Sequence, residues 1–399
     1  TDLRFVNLGT VEISGFDPIG FSDSSYTYGL QSIIWNRAGG QLSVVGDNSA
    51  TGFDLQDSVG TFFNDGALTV SSAGRSIGGI LSNEGHFANT GTIDVSGDQA
   101  VGLQLNYLTD ARNSGGIAAH GVDSAIGLSV QSNDVTFHND GTIAADTTQG
   151  QAIGIDFGYV ALLENAGQIL ASGPDSIAVQ LMPEYWKPSD IANSGLIRGA
   201  TAILALAPGS YTPRPISIDN SGRIVGDITL VSGADDIHNT GLIRGAIALG
   251  DGKDVYDGSH GRLLGSVDGG EGDDQLTGGK KGEVLIGGAG ADDLTGARGA
   301  DAFVFQRLSD SSTARADLIH DLATADLIDL SQIDADRTQA GDQAFTLVSS
   351  LDGRAGEISL SYRPSDGVTL LEADVDGDGV ADMTVRIAGD HADFTHFVL

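Results

Sequence analysis

Acidic residues recur at a fixed interval in residues 269–304, which divide into four blocks of nine: GGEGDDQLT, GGKKGEVLI, GGAGADDLT and GARGADAFV. A carboxylate stands at the sixth position of every block, and glycines are frequent at the positions before it. Carboxylates and backbone carbonyl groups are the hard oxygen ligands that Ca²⁺ prefers. The spacing therefore predicts several Ca²⁺ ions at turns, with the metal-site residues Gly270, Gly272, Asp274, Gly279, Glu283, Gly288, Gly290, Asp292, Gly299 and Asp301.

The same blocks indicate the structure that would position those carboxylates. Glycine permits the positive φ of a tight half-turn, and the eighth position of each block is apolar: Leu276, Leu285, Leu294 and Phe303. An apolar residue on a short strand between two turns points inward, so stacked half-turns would form a parallel β-roll. Half-copies of the block at residues 233–237 and 252–256 add Asp235 and Asp254 to the candidate ligands.

The blocks follow the pattern G-G-x-G-x-D-x-U-x, where U is a large apolar residue, and so resemble the repeats-in-toxin (RTX) proteins exported by type I secretion. Residues 303–399 resemble the C-terminal segment of serralysin-type proteases through the shared segments 302–305, 309–311, 316–321, 326–330, 376–382 and 394–399. The resemblance implies Ca²⁺ as the cofactor and the type I secretion machinery as a partner. It also implies a C-terminal export signal and a secreted protein, either extracellular or on the cell surface.

A longer repeat fills the first 250 residues. Its core is the motif N-x-G-x-[IVL]. The asparagines of the repeat are Asn7, Asn64, Asn89, Asn113, Asn139, Asn165, Asn193, Asn220 and Asn239, and a looser copy has Asn36. A second apolar strand follows most copies. A period near 26 residues with alternating apolar positions is typical of a β-solenoid. We predict that each asparagine hydrogen-bonds to that of the next coil, while the following glycine turns the chain. These coils resemble those of bacterial adhesins and autotransporter passengers.

Aromatic residues recur in the loops after the second strands, at Tyr107, Tyr159, Tyr185 and Tyr211. The last two loops also contain Trp186, Lys187 and Arg214. Aromatic faces beside cations could bind sugar rings or a partner protein, which makes Tyr185, Trp186, Lys187, Tyr211 and Arg214 candidate ligand residues. Alternatively, stacked aromatic side chains cover the edge of the solenoid.

A third acidic segment, residues 374–379, resembles the start of an EF-hand loop, with aspartates at alternate positions. The twelfth position of that loop would be Val385 instead of the glutamate that completes the site. We therefore expect a turn between two strands here, in preference to a full EF-hand.

Composition limits the classes of partner. The chain of 399 residues has a net charge of −34, and 29 of its 54 acidic residues follow residue 250, against 11 Lys and Arg there. Such charge disfavours nucleic-acid binding, because phosphates would be repelled. No apolar run is long enough for a membrane span. The chain has no Cys, which fits an exported protein that folds without disulfides.

These patterns predict an all-β fold. It comprises a right-handed parallel β-helix over residues 1–230, transition coils over 231–268, an RTX calcium β-roll over 269–304, and a C-terminal β cap with the secretion signal over 305–399. We expect one continuous stack, without a flexible linker.

Two classes of function remain open besides a toxin or other binding module. The first is a structural or adhesive protein, such as an adhesin, filament or surface-layer subunit, that binds itself or a surface polysaccharide. An open first coil, without an evident N-terminal cap, favours self-assembly. The second is a lyase or epimerase acting on acidic glycans, because β-helices with RTX tails include alginate epimerases. The first 186 residues contain no Lys, and H-E-x-x-H does not occur, so an enzyme is the less favoured class. We expect His120, His138 and His238 to be surface residues.

Overall fold

The computed structural model describes residues 3–22, 31–56, 59–108, 110–132, 135–182, 187–206 and 214–399. The chain folds as two compact units, Thr1–Ile228 and Thr229–Leu399. The described residues form β-strands, turns and one short 3₁₀ helix (Leu308–Ser311), so the all-β prediction is confirmed. None of their helices is long and apolar enough to cross a membrane.

The strands of residues 3–229 form successive coils. They are β1 (Leu3–Asn7), β2 (Thr10–Gly15), β3 (Ile19–Ser22), β4 (Gln31–Asn36), β5 (Gln41–Gly46), β6 (Ser49–Leu55), β7 (Val59–Asn64), β8 (Ala67–Ser72), β9 (Arg75–Ile77), β10 (Ile80–Leu81), β11 (His86–Asn89), β12 (Thr92–Asn106), β13 (Asp110–Asn113), β14 (Gly116–Gln131), β15 (Phe137–Asn139), β16 (Thr142–Thr147), β17 (Gln151–Phe157), β18 (Leu162–Asn165), β19 (Gln168–Ser172), β20 (Ile177–Leu181), β21 (Ser189–Asn193), β22 (Leu196–Ala205), β23 (Ile216–Asn220) and β24 (Arg223–Thr229).

Parallel pairing stacks these coils in register. For example, β4 pairs in parallel with β1 and with β7, which places Ile34 between Phe5 and Phe62. Alternate residues point inward, as in β5, where Leu42 and Val44 are buried and Gln41 is exposed. The predicted parallel solenoid is therefore confirmed, and its core is a set of apolar columns that run from coil to coil.

The asparagine ladder is confirmed as well. Eight hydrogen bonds of 2.7–2.9 Å join the side-chain Nδ2 of one asparagine to Oδ1 of the next, through Asn7, Asn36, Asn64, Asn89, Asn113, Asn139, Asn165, Asn193 and Asn220. All nine side chains are buried. Because each amide both donates and accepts, buried polar groups are satisfied without a charge.

The glycine two residues after the asparagine is needed for close approach of neighbouring coils in the copies from Asn64 to Asn220. At Gly167, an added Cβ would clash with the carbonyl oxygen of Gly141 in the preceding coil. Gly167 has no positive φ. The repeat therefore requires glycine at this position because a side chain would not fit between neighbouring coils. The freedom of glycine to adopt positive φ is not used here.

The second unit contains shorter strands. They are β25 (Ser232–Gly233), β26 (Asp236–Asn239), β27 (Leu242–Arg244), β28 (Ile247–Gly252), β29 (Val255–Asp257), β30 (Arg262–Leu264), β31 (Ser266–Glu271), β32 (Gln275–Thr277), β33 (Val284–Ala289), β34 (Asp293–Thr295), β35 (Ala302–Val304), β36 (Leu318–Ile319), β37 (Leu327–Asp329), β38 (Thr346–Val348), β39 (Glu357–Arg363), β40 (Val368–Asp374), β41 (Met383–Ala388) and β42 (Phe397–Val398).

Two parallel sheets enclose the narrow core of this unit. One contains β26, β29, β32, β34 and β36, and the other contains β28, β31, β33, β35 and β37. The apolar residues at the eighth position of the four blocks are fully buried, as predicted. Strands β39, β40 and β41 are antiparallel, and β41 also pairs with β36. The exact borders predicted between transition coils, roll and cap stay predictions.

Candidate calcium site

Five aspartates form a column along one edge of the roll. Each stands directly before a strand of the same sheet, and the pairing of those strands brings the five into register: Asp235, Asp254, Asp274, Asp292 and Asp317. All five side chains are buried. We call this set the aspartate column. It contains the four residues predicted along this edge and one, Asp317, that was not predicted.

One oxygen of four of the column carboxylates accepts a backbone N–H of the neighbouring coil. The peptide N–H of Asp254 donates to Oδ1 of Asp274 at 2.8 Å, and that of Asp274 donates to Oδ1 of Asp292 at 2.8 Å. The N–H of Asp292 donates in turn to Oδ1 of Asp317 at 3.0 Å, and that of Asp235 to Oδ1 of Asp254 at 2.7 Å. These bonds hold Oδ1 of Asp254, Asp274, Asp292 and Asp317 against the backbone.

The other carboxylate oxygen is buried without a hydrogen-bond donor. This is the case for Oδ2 of Asp254, Asp274, Asp292 and Asp317. Leaving a buried acceptor unsatisfied costs about 1–3 kcal/mol, and more when it is charged. The acids that do pair with cations lie at the surface, as Asp273 does with Arg315. These four carboxylates therefore present a row of oxygen atoms without a hydrogen-bond donor, which fits a bound divalent cation.

Burial makes the charged form of these carboxyl groups costly. It raises the pKa of Asp254 to about 6 and those of Asp274 and Asp292 to about 7. Burial is the main reason that the pKa of Asp317 rises to about 9, and the negative charge of Asp292 raises it further. A neighbouring cation would reverse these shifts, since opposite charge favours the ionised form.

The glycine turns pass close to the carboxylates. A Cβ added at Gly287 would lie 2.5 Å from Oδ2 of Asp292. Four of the predicted site glycines have left-handed φ values of 93–155°, namely Gly270, Gly272, Gly288 and Gly299. Gly279 and Gly290 have no positive φ. Carboxylate oxygens and turn carbonyls together suit Ca²⁺, which accepts an irregular set of oxygen ligands.

The opposite edge of the roll has a shorter row of acids. The N–H of Glu283 donates to Oδ1 of Asp301 at 2.8 Å, and that of Asp301 to Oδ1 of Asp326 at 3.0 Å. Oε1 of Glu283 is buried without a donor, and burial raises its pKa to about 7. Burial also raises the pKa of Asp301. In this block Lys281 stands where the other blocks have glycine, so this edge is the less regular of the two.

Asp317 and Asp326 were missed as site residues because no glycines flank them. Each lies 25 residues after its predecessor in the row, against 18 within the blocks. A signal was present nevertheless: both begin the triplet Asp-Leu-Ile, which matches the Asp-x-apolar end of a block.

The aromatic candidates are less well defined. Tyr185, Trp186 and Tyr211 lie outside the described residues, and Lys187 and Arg214, which are described, both have interaction partners. The rings of Tyr107 and Tyr159 lie 6.3 Å apart, so the first two members of the predicted column do meet. Binding of a sugar or partner by these residues stays a prediction.

The EF-hand-like segment is a turn between β40 and β41, as predicted. Asp374, Asp376 and Asp382 place one carboxylate oxygen each within 4.8 Å of one another. Both oxygens of Asp374 accept backbone N–H groups of the turn, from Gly377 at 2.7 Å and Gly379 at 2.9 Å. The cluster is thus explained by the turn.

The histidines singled out in the repeat lie at the surface, as expected, and each pairs with an acid. His138 Nδ1 lies 2.8 Å from Glu164, and His238 Nδ1 lies 3.3 Å from Asp257. His120 lies between two acids of neighbouring coils: its Nδ1 is 2.6 Å from Oδ2 of Asp146 and its Nε2 is 3.6 Å from Oδ1 of Asp94.

Comparison with known proteins bears on the C-terminal part of the chain. Residues 261–399 match the family model described as the peptidase M10 serralysin C terminal. No curated protein matches the chain. A similar solved structure is the solution structure of the R2 subunit of an Azotobacter vinelandii mannuronan C5-epimerase, at 29% identity over 40% of this chain and 93% of that one, with a TM-score of 0.29. The predicted resemblance of residues 303–399 to serralysin-type C-terminal domains is confirmed by the family match.

Proposed function

We propose that the chain is a secreted calcium-binding protein with a structural or adhesive role outside the cell. The observation that carries the calcium part is the aspartate column, in which Oδ2 of Asp254, Asp274, Asp292 and Asp317 is buried without a donor. Neutral, hydrogen-bonded packing explains the ladder of the first unit, but it does not explain these oxygens. A cation that joins adjacent coils would satisfy them.

Calcium then couples folding to export. In the cytosol, where Ca²⁺ is scarce, the charges of the column oppose packing of the roll, and an unfolded chain can pass a narrow secretion channel. In the medium, millimolar Ca²⁺ exceeds the dissociation constants of about 10⁻⁴–10⁻³ M that are typical of extracellular sites. Because the ions bind only the folded state, they stabilise it by mass action. The serralysin-type match of residues 261–399 supports this export route.

Circular dichroism tests the calcium part of the proposal. The far-UV spectrum of the purified chain should gain β signal when Ca²⁺ replaces a chelator, and addition of excess chelator should reverse the change. Mg²⁺ at the same concentration serves as the control, since it is smaller, demands octahedral geometry and gives up water reluctantly. Spectra that are identical with Ca²⁺ and with chelator would refute the proposal.

The structural or adhesive role rests on the first unit. Its coils are held by a neutral ladder and by apolar columns, so they form a long surface that needs no ligand for its own stability. Electron microscopy with and without Ca²⁺ tests this role, because a structural subunit should form filaments or lattices and an adhesin should decorate cells or polysaccharide. Particles that neither assemble nor bind to such surfaces would count against it.

One observation favours a second candidate function, a lyase or epimerase of acidic glycans. Asp94, His120 and Asp146 come from three successive coils and place an imidazole between two carboxylates, an arrangement that can serve as acid and base. The two carboxylates would nevertheless repel an acidic sugar. Incubation with acidic polysaccharides, read as unsaturated-uronate absorbance or epimer ratio, tests this candidate; activity that His120→Gln abolishes would support it.

A further inference from the structure

An aromatic patch lies on the outward face of strands β4 and β7. Trp35 and Phe63 are register partners in these strands and are half-buried, whereas their inward neighbours Ile34 and Phe62 are buried. The two outward rings meet edge to face, with their centroids 5.9 Å apart. The pair lies outside the apolar columns of the solenoid, so packing of the core does not account for it.

The indole ring of Trp35 is held in place by a residue of the next coil. Its Nε1–H donates to Oδ2 of Asp65 at 2.8 Å, and Oδ1 of Asp65 accepts the hydroxyl group of Thr90 at 2.8 Å. Both oxygens of Asp65 are therefore engaged by neutral donors. These bonds orient the ring before a ligand arrives, which lowers the entropy cost of binding.

The guanidinium group of Arg37 lies over this ring. Its Cζ is 4.1 Å from the ring centroid, which is within the range of a cation–π contact. Arg37 is exposed, and it forms no ion pair within the part of the chain that the structure describes. Stacking uses the flat face of the guanidinium group and leaves the N–H groups at its edge able to donate. The ring thus presents a fork of donors that suits bidentate binding of a carboxylate.

A second arginine lies in the same outward row, in a part of the chain where basic residues are scarce. The first 186 residues contain four arginines and no lysine. Arg112 is three coils beyond Trp35, through the register partners Phe63 and Ala88, which is about 14 Å along the solenoid. Its ion pair with Asp110 is at the surface, with side chains 62% and 46% exposed, so exchanging that partner for another carboxylate costs little.

The patch suits a linear acidic polysaccharide better than an acidic peptide. Strand β4 pairs with β1 and β7, and β7 pairs with β4 and β11, so these strands have no free edge for a peptide backbone to join. A sugar ring needs no such edge, because its apolar C–H face packs directly on an aromatic side chain. Carboxylates along the same polymer complement the charges of the two arginines.

We propose that Trp35, Phe63 and Arg37 form a binding site for a uronate-containing polysaccharide. The carboxylate of one sugar accepts the guanidinium N–H groups of Arg37, and a neighbouring sugar ring packs on the exposed parts of Trp35 and Phe63. The polymer continues along the outward row toward Arg112. The proposal rests on the adhesive role proposed above and deepens it, since it names the class of polymer and the residues that bind it.

The fluorescence of Trp35 tests the site directly. The chain has two tryptophans, so Trp186→Phe leaves Trp35 as the single emitter. Titration of this full-length variant in Ca²⁺ with an oligogalacturonate should change the emission in a saturable way. Adding Arg37→Gln should weaken that binding about tenfold or more, because a charge-assisted hydrogen bond is lost. Arg75→Gln is the matched control and should leave binding unchanged, since Arg75 is also exposed but lies in β9 of the other sheet.

Two competitors separate this ligand from others. The methyl-esterified oligogalacturonate lacks the carboxylate charges and should bind about tenfold more weakly or less, and polyglutamate should not displace the oligogalacturonate. Unchanged Trp35 emission, binding that Arg37→Gln leaves intact, equal binding of the ester, or displacement by polyglutamate would each overturn the proposal. Decoration of polysaccharide in electron microscopy without any change in Trp35 emission would retain the adhesive role and reject this site, so the two proposals fail separately.

Discussion

Replacing Asp317 by Asn should stabilise the calcium-free protein while weakening its calcium-bound form. Asp317 is fully buried, its Oδ1 accepts the N–H of Asp292 at 3.0 Å, and its Oδ2 has no donor. An amide is nearly the same size and retains an oxygen acceptor for that N–H, but it carries no charge. The substitution therefore removes the buried charge and one calcium ligand together.

The magnitude follows from the pKa of this group. Burial, together with the charge of Asp292, raises the pKa of Asp317 from 3.8 to about 9. At about pH 8 the unfolded carboxyl group is ionised and the folded one is mostly protonated, which corresponds to an upper limit of about 5–6 kcal/mol lost on folding. Because neighbouring carboxyl groups titrate together, we expect Asp317→Asn to raise the free energy of unfolding in chelator by about 2–5 kcal/mol.

Urea unfolding followed by circular dichroism, in chelator and in Ca²⁺, measures this crossover. The exposed Asp342 provides a matched control, and Asp342→Asn should change the free energy of unfolding by no more than about 0.5 kcal/mol in either condition. If Asp317→Asn destabilised the calcium-free protein as well as the calcium-bound one, the carboxylate would be stabilising by itself, and the reasoning from the aspartate column would be refuted.

Three further predictions concern the ladder, the coil spacing and pH. Asn139→Ala should lower the free energy of unfolding by about 2–4 kcal/mol, since it removes the acceptor of the Asn113 amide and the donor to Oδ1 of Asn165, whereas Asn7→Ala should cost about 1 kcal/mol; urea unfolding measures both. Gly167→Ala should lower the melting temperature, because its Cβ would meet the carbonyl oxygen of Gly141. In chelator, stability should fall as pH rises, because folded pKa values of about 6 to 9 lie above the unfolded value of 3.8. The stabilisation is complete below about pH 4, declines progressively above that pH and is fully lost once the pH exceeds about 9. Thermal melts in chelator and in Ca²⁺ check this, and stability that rose with pH in chelator would contradict it.

The parts of the fold that follow from a short repeat could be predicted from the sequence. A buried asparagine at a coil corner needs a donor and an acceptor, and another asparagine one coil away supplies both, so the spacing from Asn113 to Asn139 and Asn165 predicts their hydrogen bonds. The apolar eighth positions of the blocks were equally predictable, because a strand between two tight turns has only one inward side chain.

The missing parts depend on contacts that no local pattern fixes. Asp317 joins the column because β36 pairs with β34. The segment between Asp292 and Asp317 is longer than the segments between successive aspartates within the blocks, so the repeat does not predict this pairing. The pairing of His120 with Asp146 depends on the register between β14 and β16.

Amide hydrogen exchange along residues 269–304, with and without Ca²⁺, tests the central claim most directly. The N–H of Asp274 donates to Oδ1 of Asp292, so its protection reports whether the column is packed. We expect strong protection there in Ca²⁺ and its loss in chelator, while the ladder strands β11 to β18 of the first unit stay protected in both. Equal protection of residues 269–304 in Ca²⁺ and in chelator would contradict the claim that a divalent cation holds this edge together.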